Sequence, residues 1–436
     1  MKISRRSLPR GPARLIASDL RGVSRLAVDA TLGLTHLVEH LHHNIRRVPP
    51  PLGEVSQPPT RGITGLVYRS IRGVTRLVGG SVDALLGQLV SLLGPAADTA
   101  VPGAAERDAV IAALNGVLGD HLVASGNPLA IAMTLRHDER ALVLQADALA
   151  QALPQARPCV LLFLHGLCMH PRQWRRNGHD YAETLAADGG FTPLHLHYNS
   201  GRHVSTNGRE LADLLQALQG AWPVPLQEIV VLAHSMGGLV ARSAVHQAQA
   251  RGDTWPGLVS RMFFLGTPHH GAPLERGGHW IDLLLGASPY TAAFSRLGRL
   301  RSAGITDLRH GSLLDEDWHG ADRFAHGHDT RTPVPLPPGV ACHAVAGALG
   351  SGSGRVHQAL LGDGLVPVDS ALGRHEQAER ALAFDAGRQW VAQGLGHLDL
   401  LGHPDVEAQL RAWLAAPPDA GALPDAASPP AAAAAT

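Results

Sequence analysis

The decisive stretch reads Ile229-Val230-Val231-Leu232-Ala233-His234-Ser235-Met236-Gly237-Gly238-Leu239-Val240. Its first four residues are apolar and three are β-branched, which predicts a short buried strand. A helical pattern follows through Leu239, Val240, Ser243 and Ala244. Between strand and helix, the small residues at 233 and 237, with Gly238, leave room for a sharp turn that lifts the Ser235 hydroxyl clear of a sheet. The pattern is A-x-S-x-G where G-x-S-x-G is more usual, and alanine still has a minimal side chain. The helix start adds a dipole that favours developing negative charge. A serine in an ordinary strand–helix turn is the plainer reading of five residues. The strand before it and the helix after it favour a nucleophile.

Outward from this turn, apolar runs recur at Val160–Leu164, Leu194–His197, Met262–Gly266, Cys342–Ala346 and Gln389–Val391. Helix-length segments near 178–188 and 207–219 separate the first of them. Such alternation predicts an α/β fold, with a mostly parallel sheet covered by helices on both faces. Upstream, 129–135 and 141–144 read as two strands joined by the polar turn His137-Asp138-Glu139-Arg140. Residues 271–335, rich in Gly, Pro and His, interrupt the alternation where a cap is inserted. The division expected is 1–125 as a basic helical region, 126–416 as the catalytic domain, and 417–436 as a disordered Ala/Pro tail.

Three further motifs carry chemistry. His165-Gly166-Leu167 ends the strand Val160–Leu164, and a turn there aims the Leu167 amide at the nucleophile. The amides of Leu167 and Met236 are the candidate oxyanion hole. Asp363, between Gly362 and Gly364, is the candidate acid; Asp369 is its rival, and Asp315 and Asp317 are weaker ones in the cap. A plain Asx turn is the bland reading of Asp363. His397, in Gly394-Leu395-Gly396-His397, is the candidate base, with His403 as alternative and Asp399 as a local cap. Among 26 histidines its place after the last strand is the informative part. His165, Gly166, His234 and Tyr198 are candidate substrate-binding residues. His269 and His270 read as a structural loop, since no carboxylate or thiol stands at metal-ligand spacing. No metal or organic cofactor is expected.

Together FLHGL at 163–167, AHSMGG at 233–238, FLGTPHHGAP at 264–273, GDGLVP at 362–367 and GLGHLDLL at 394–401 resemble the lipase/esterase branch of the α/β-hydrolases. With the YNSGRH stretch at 198–203, they resemble bacterial proteins grouped with GPI inositol-deacylase-like hydrolases. The resemblance spans about 157 to 412 and implies ester hydrolysis, with Ser235 as nucleophile, Asp363 as acid and His397 as base. It does not imply a GPI substrate, and it gives the first 125 residues no role. An acyltransferase on the same fold, or a lipid- or polymer-surface binding protein with a vestigial hydrolase domain, are the alternatives.

Bulk properties set limits. The chain has 436 residues, 45% hydrophobic and 17% charged, as a soluble globule requires. Net charge is zero, but residues 1–80 hold 13 Lys/Arg against 4 Asp/Glu. This basic arm on an acidic body points to packing on that body or pairing of two chains, ahead of peripheral contact with an anionic membrane surface, with a solvated face as the plainer reading. Residues 15–45 and 61–93 read as amphipathic helices, broken by Pro49-Pro50-Pro51 and Pro58-Pro59. Arg21-Gly22-Val23-Ser24-Arg25-Leu26 is echoed by Arg72-Gly73-Val74-Thr75-Arg76-Leu77. Pro95 to Gly103 reads as a linker and 105–119 as a helix. Three cysteines, Cys159, Cys168 and Cys342, give no disulfide framework and fit the cytoplasm. No signal-peptide core follows the basic N-terminus, and no apolar run reaches membrane-span length. Nucleic acid is not an expected partner.

Overall fold

The computed structural model describes residues 18–32, 69–78, 80–81, 83–84, 104–176, 178–272, 302–320, 329–350 and 362–416. Pro49–Pro51, the expected linker at 95–103, most of the expected cap at 271–335 and the expected tail at 417–436 lie outside the described residues.

The core is an eight-stranded sheet. Its strands are β1 (Thr134–His137), β2 (Arg140–Ala141), β3 (Cys159–Leu164), β4 (Phe191–His197), β5 (Glu228–His234), β6 (Val259–Leu265), β7 (Ala341–Ala348) and β8 (Gln389–Gln393). Their order is β8-β7-β6-β5-β3-β4-β1-β2. From β4 to β8 all neighbours are parallel, while β1 pairs antiparallel with both β2 and β4. This is the α/β-hydrolase fold, with helices on both faces of the sheet.

The strands are continuous apolar runs because both their faces are buried. Along β3, Val160, Leu162 and Leu164 enter one core, which also takes residues from α3 (Val204–Ala221) and α4 (Met236–Arg251). Leu161 and Phe163 enter the other, with Tyr181 and Leu185 of α2 (Tyr181–Gly189) and Val406 and Leu410 of α5 (Pro404–Ala415). Asp180 caps α2 by accepting from the amides of Ala182 and Glu183, and Gly190 ends it at φ 70°.

The first hairpin differs from the sequence reading. Asp138 and Glu139 both take positive φ, 44° and 66°. That makes a two-residue turn of the primed kind, whose twist suits the flanking strands. His137 and Arg140, expected in the turn, therefore pair with each other as strand residues.

The described residues divide into two compact units. The larger contains Ala105–His121 and everything described from Ile131 onward, so most of α1 (Ala104–Ala124) belongs with the sheet. Ala113 and Val117 lie in the same core as β3 and β4. Gly116 packs against the Cys168 backbone, where a Cβ would lie 2.9 Å from Cys168 N. Gly119 packs against Asn199, whose Nδ2 donates to the Gly119 carbonyl at 3.0 Å. The Ser302 hydroxyl donates to the Gly116 carbonyl at 2.6 Å.

The smaller unit holds the helical residues 18–32 and 69–78 together with Leu122–Ala130. Arg21 and Arg25 both pair with Asp83, at 2.8 and 2.5 Å. Their hydrogen bonds, Arg25 first, hold that carboxyl well below the usual carboxylate range. Leu20, Val23, Val74 and Leu77 are exposed. No helix among the described residues is long and apolar enough to cross a membrane.

Candidate active site

Ser235 stands between β5 and α4 with φ 55° and ψ −127°. A side-chain-bearing residue there costs about 1–3 kcal/mol, so its surroundings must impose it. They do so through close packing. The Ser235 amide donates to the Leu265 carbonyl at 2.8 Å, tying the turn to the end of β6. A Cβ at residue 237 would lie 2.7 Å from the carbonyl oxygens of both Leu164 and His165, so only glycine lets α4 start there. Ser235 is 7% exposed.

The candidate acid Asp363 and candidate base His397 follow β7 and β8 in the chain. His397 Nδ1 is 2.6 Å from Asp363 Oδ2. Asp363 Oδ1 accepts from the amides of Leu365 and Val366 at 2.9 and 2.7 Å. Both carboxylate oxygens are thus committed, and Nδ1 of the imidazole is the protonated nitrogen. The His397 amide donates to the Asp363 carbonyl at 3.0 Å, and Nε2 of His234 donates to the His397 carbonyl at 3.0 Å. Both His397 and Asp363 are buried, and the remaining ring nitrogen, His397 Nε2, makes no hydrogen bond. The residue next to the serine is therefore bonded to the residue whose Nε2 is free.

Gly266 closes the floor of this arrangement. At φ 58° it approaches so closely that a Cβ would lie 3.0 Å from both Asp363 Oδ2 and His397 Nδ1. Tyr181 fixes the loop beyond His397, donating from its hydroxyl to the carbonyl of Leu400 or His403 at 3.2 and 3.1 Å.

The rival residues have other tasks. Asp369 is exposed and pairs with Arg374 at 3.4 Å. Asp315 bonds Ser205 and Arg209. Asp317 accepts from the amides of Leu313, Leu314 and Thr332. The His403 ring caps α5 by accepting from the Asp405 amide at 3.2 Å. Asp399 accepts from the Gly396 amide at 2.9 Å and so shapes the turn before His397.

Gly166 packs against the serine, where a Cβ would lie 3.0 Å from Ser235 Cβ. Leu167 is the next residue, and Met236 is the first residue of α4. An N–H at a helix start has no acceptor within the helix. The other residues expected to bind substrate are fully buried. Tyr198 stacks on His165 with ring centres 4.4 Å apart and donates from its hydroxyl to the His165 carbonyl at 2.8 Å. Its place is behind the loop, holding it. His165 Nδ1 lies 2.8 Å from the Gly166 carbonyl. His234, with its bond to the His397 carbonyl, positions backbone too. Burial pushes His165 down to about 4 and His234 well below its ordinary value, so both rings are neutral.

The sequence reading missed Gly266 beneath the pair and the part of α1. Gly116 and Gly119, three apart on one helix face, are the sequence trace of that close approach. His269 and His270 each accept an arginine N–H at Nδ1, from Arg242 at 3.2 Å and Arg331 at 2.6 Å. A cavity of about 640 Å³ is lined by Arg136, Glu139, His170, Arg172, Trp174 and His195 among others. Ser235, Asp363 and His397 do not border it.

Residues 155–333 match the model of the PGAP1-like alpha/beta domain. The match contains Ser235 and the 165–167 loop and ends before Asp363 and His397. No curated protein matches the chain. Among solved structures, the mature form of a Bacillus licheniformis lipase is similar at 19% identity, over 60% of this chain and 93% of that one, with a TM-score of 0.37. A thioesterase of the prodiginine pathway in Streptomyces coelicolor is similar at 16% identity, over 60% and 86%, with a TM-score of 0.34. Aspergillus fumigatus lipase B is similar at 12% identity, over 66% and 57%, with a TM-score of 0.38. At such values these likenesses say nothing about what this chain acts on.

Proposed function

We propose that this protein is a serine hydrolase that cleaves carboxylic esters through Ser235, Asp363 and His397. The observation that carries the reading is the 2.6 Å contact of His397 Nδ1 with Asp363 Oδ2, which leaves Nε2 without a partner, on a residue whose carbonyl is bonded by His234, the neighbour of the positive-φ Ser235. Asp363 holds the tautomer in which Nε2 is the basic nitrogen. Nε2 takes the Ser235 proton as the hydroxyl oxygen bonds to the ester carbonyl carbon. The oxyanion rests against the amides of Leu167 and Met236, each such donor contributing about 3 kcal/mol. The alcohol leaves with the proton from Nε2. Water then gives Nε2 a proton, attacks the acyl-enzyme and releases the acid.

The resemblance to lipases and esterases favours lipids or other apolar esters as substrates. The test is labelling by a fluorophosphonate probe, with turnover of p-nitrophenyl esters from short to long acyl chains. Wild-type protein is expected to label and turn over, and Ser235→Ala to do neither. Equal labelling of both forms sinks the assignment of the nucleophile. Transfer of the acyl group to an added alcohol in preference to water would identify an acyltransferase. A wild-type protein inert even with lipid or detergent would leave the surface-binding reading standing.

A further inference from the structure

Three consecutive peptides beside Ser235 are each fastened by a hydrogen bond. The His165 carbonyl accepts from the Tyr198 hydroxyl at 2.8 Å. The Gly166 carbonyl accepts from His165 Nδ1 at 2.8 Å, and that ring is stacked on Tyr198. The Cys168 amide donates to the Ser200 hydroxyl oxygen at 3.0 Å. Gly166 sets this run against the serine, since a Cβ there would lie 3.0 Å from Ser235 Cβ.

The middle peptide, between Gly166 and Leu167, carries one of the two candidate oxyanion amides. A trans peptide points its C=O and N–H in opposite directions. With the Gly166 carbonyl turned to the His165 ring, the Leu167 N–H faces the other way, and it has no acceptor among the described residues. Rotation of this peptide is the easy way to lose that donor, because glycine permits a wide range of backbone angles. The bonds to the peptides before and after it, from Tyr198 and Ser200, oppose such a rotation.

The loop needs such support. Only four non-glycine residues among those described take positive φ. Two make the first hairpin turn, and the other two are Ser235 and Cys168, at φ 55° and 59°. A side-chain-bearing residue is strained there and persists only where its surroundings impose the conformation. Tyr198 and Ser200 are both buried, so solvent does not compete for their bonds. The stretch that supplies the two hydroxyls is itself fixed. Asn199, between them, donates from Nδ2 to the Gly119 carbonyl at 3.0 Å and accepts at Oδ1 from the Gly201 amide at 3.1 Å. Its carbonyl accepts from Asn207 Nδ2 of α3 at 3.0 Å. Gly304 packs on the Ser200 carbonyl, where a Cβ would lie 2.1 Å from the oxygen.

We propose that Tyr198 and Ser200 are positioning residues, which hold the Leu167 amide in place as an oxyanion donor without touching the substrate. The inference rests on the ester chemistry proposed for Ser235. It gives the 198–200 run a part in the reaction from behind the loop, where burial keeps both hydroxyls away from any substrate.

The test uses the full chain, with the folded fraction of each form fixed by urea unfolding. Ser200→Ala removes the acceptor of the Cys168 amide, and Tyr198→Phe removes the donor to the His165 carbonyl with little change of shape. Each is expected to lower kcat on a p-nitrophenyl ester at least roughly tenfold, with KM changed less than about twofold. The inhibition constant of an alkylboronic acid is expected to rise by a similar factor, because its tetrahedral adduct on Ser235 sets an oxygen against the same amides. A role in stability alone would lower the folded fraction and leave kcat and boronate affinity of the folded enzyme as they were. Should Ser200→Ala fail to fold, the near-isosteric Tyr198→Phe decides. Wild-type kcat in the variants, or a lowered kcat with unchanged boronate affinity, overturns the positioning while the ester chemistry stands. A wild-type protein that neither labels with a fluorophosphonate nor turns over ester overturns both.

Discussion

Nε2 of His234 donates to the main-chain oxygen of His397 at 3.0 Å, so the residue before the proposed nucleophile holds the residue that carries the proposed base. Strand β5 and the loop after β8 are thereby tied at the proposed site of reaction. His234→Ala removes the donor, a hydrogen bond worth about 1 kcal/mol net. Its kcat is expected to fall roughly tenfold with little change in KM, and steady-state kinetics on a p-nitrophenyl ester checks it. An unchanged kcat would mean the bond is not needed for catalysis.

Gly266 is expected to tolerate no side chain. Alanine there would sit 3.0 Å from Asp363 Oδ2 and His397 Nδ1 and would hold φ 58°, a conformation costing about 1–2 kcal/mol for an L-residue. Gly266→Ala should lose at least that stability in urea unfolding, and more activity than its folded fraction accounts for.

Asp363 and Asp369 make a discriminating pair. Asp363→Asn keeps the shape of the residue but stabilises the wrong tautomer of His397, and the expected loss in kcat is on the order of 10⁴-fold. Asp369, exposed and paired with Arg374, is expected to change activity hardly at all as Asp369→Asn. Equal effects of the two substitutions would contradict the proposed roles.

Acid should unfold the protein from below about pH 6.5. Burial holds His165 at about 4 and His170 at about 2. Each is neutral when folded and protonates at about 6.5 when unfolded. The unfolded chain therefore binds more protons as pH falls from 6.5. The stability from keeping these rings neutral is fully present above that value and declines below it, by about 1.4 kcal/mol per pH unit for each ring. Urea midpoints between pH 7.5 and 4.5 measure this, and a flat profile would show that water reaches these rings.

Gly116→Ala tests the part of α1 that belongs with the sheet. The new methyl would meet the Cys168 backbone, one residue beyond Leu167. Overpacking of this kind costs about 1–3 kcal/mol. Both the thermal midpoint and kcat are expected to drop, whereas Gly220→Ala, in α3 with open space around its Cβ, should leave kcat unchanged and raise the midpoint slightly.

Much of the fold was legible in the sequence because its causes are local. Apolar runs of strand length, separated by helix-length segments, imply parallel strands buried on both faces. The run Ile229–Ala233 followed by small residues implies a turn at Ser235. The first hairpin was misplaced because its turn depends on two non-glycine residues taking positive φ, which composition does not signal. The rest is decided by distance along the chain. Asp363 and His397 are 34 residues apart, and His234 and His397 are 163. No periodicity links such positions; sheet order and strand register bring them together. The same holds for Arg242, whose guanidinium meets the His269 ring 27 residues on only once α4 is packed against that loop. The sequence by itself determined which residues turn, pair locally and stay dry. The tertiary structure decided which distant polar groups meet, because hydrogen bonds act over about 3 Å and only the packed sheet sets positions that finely.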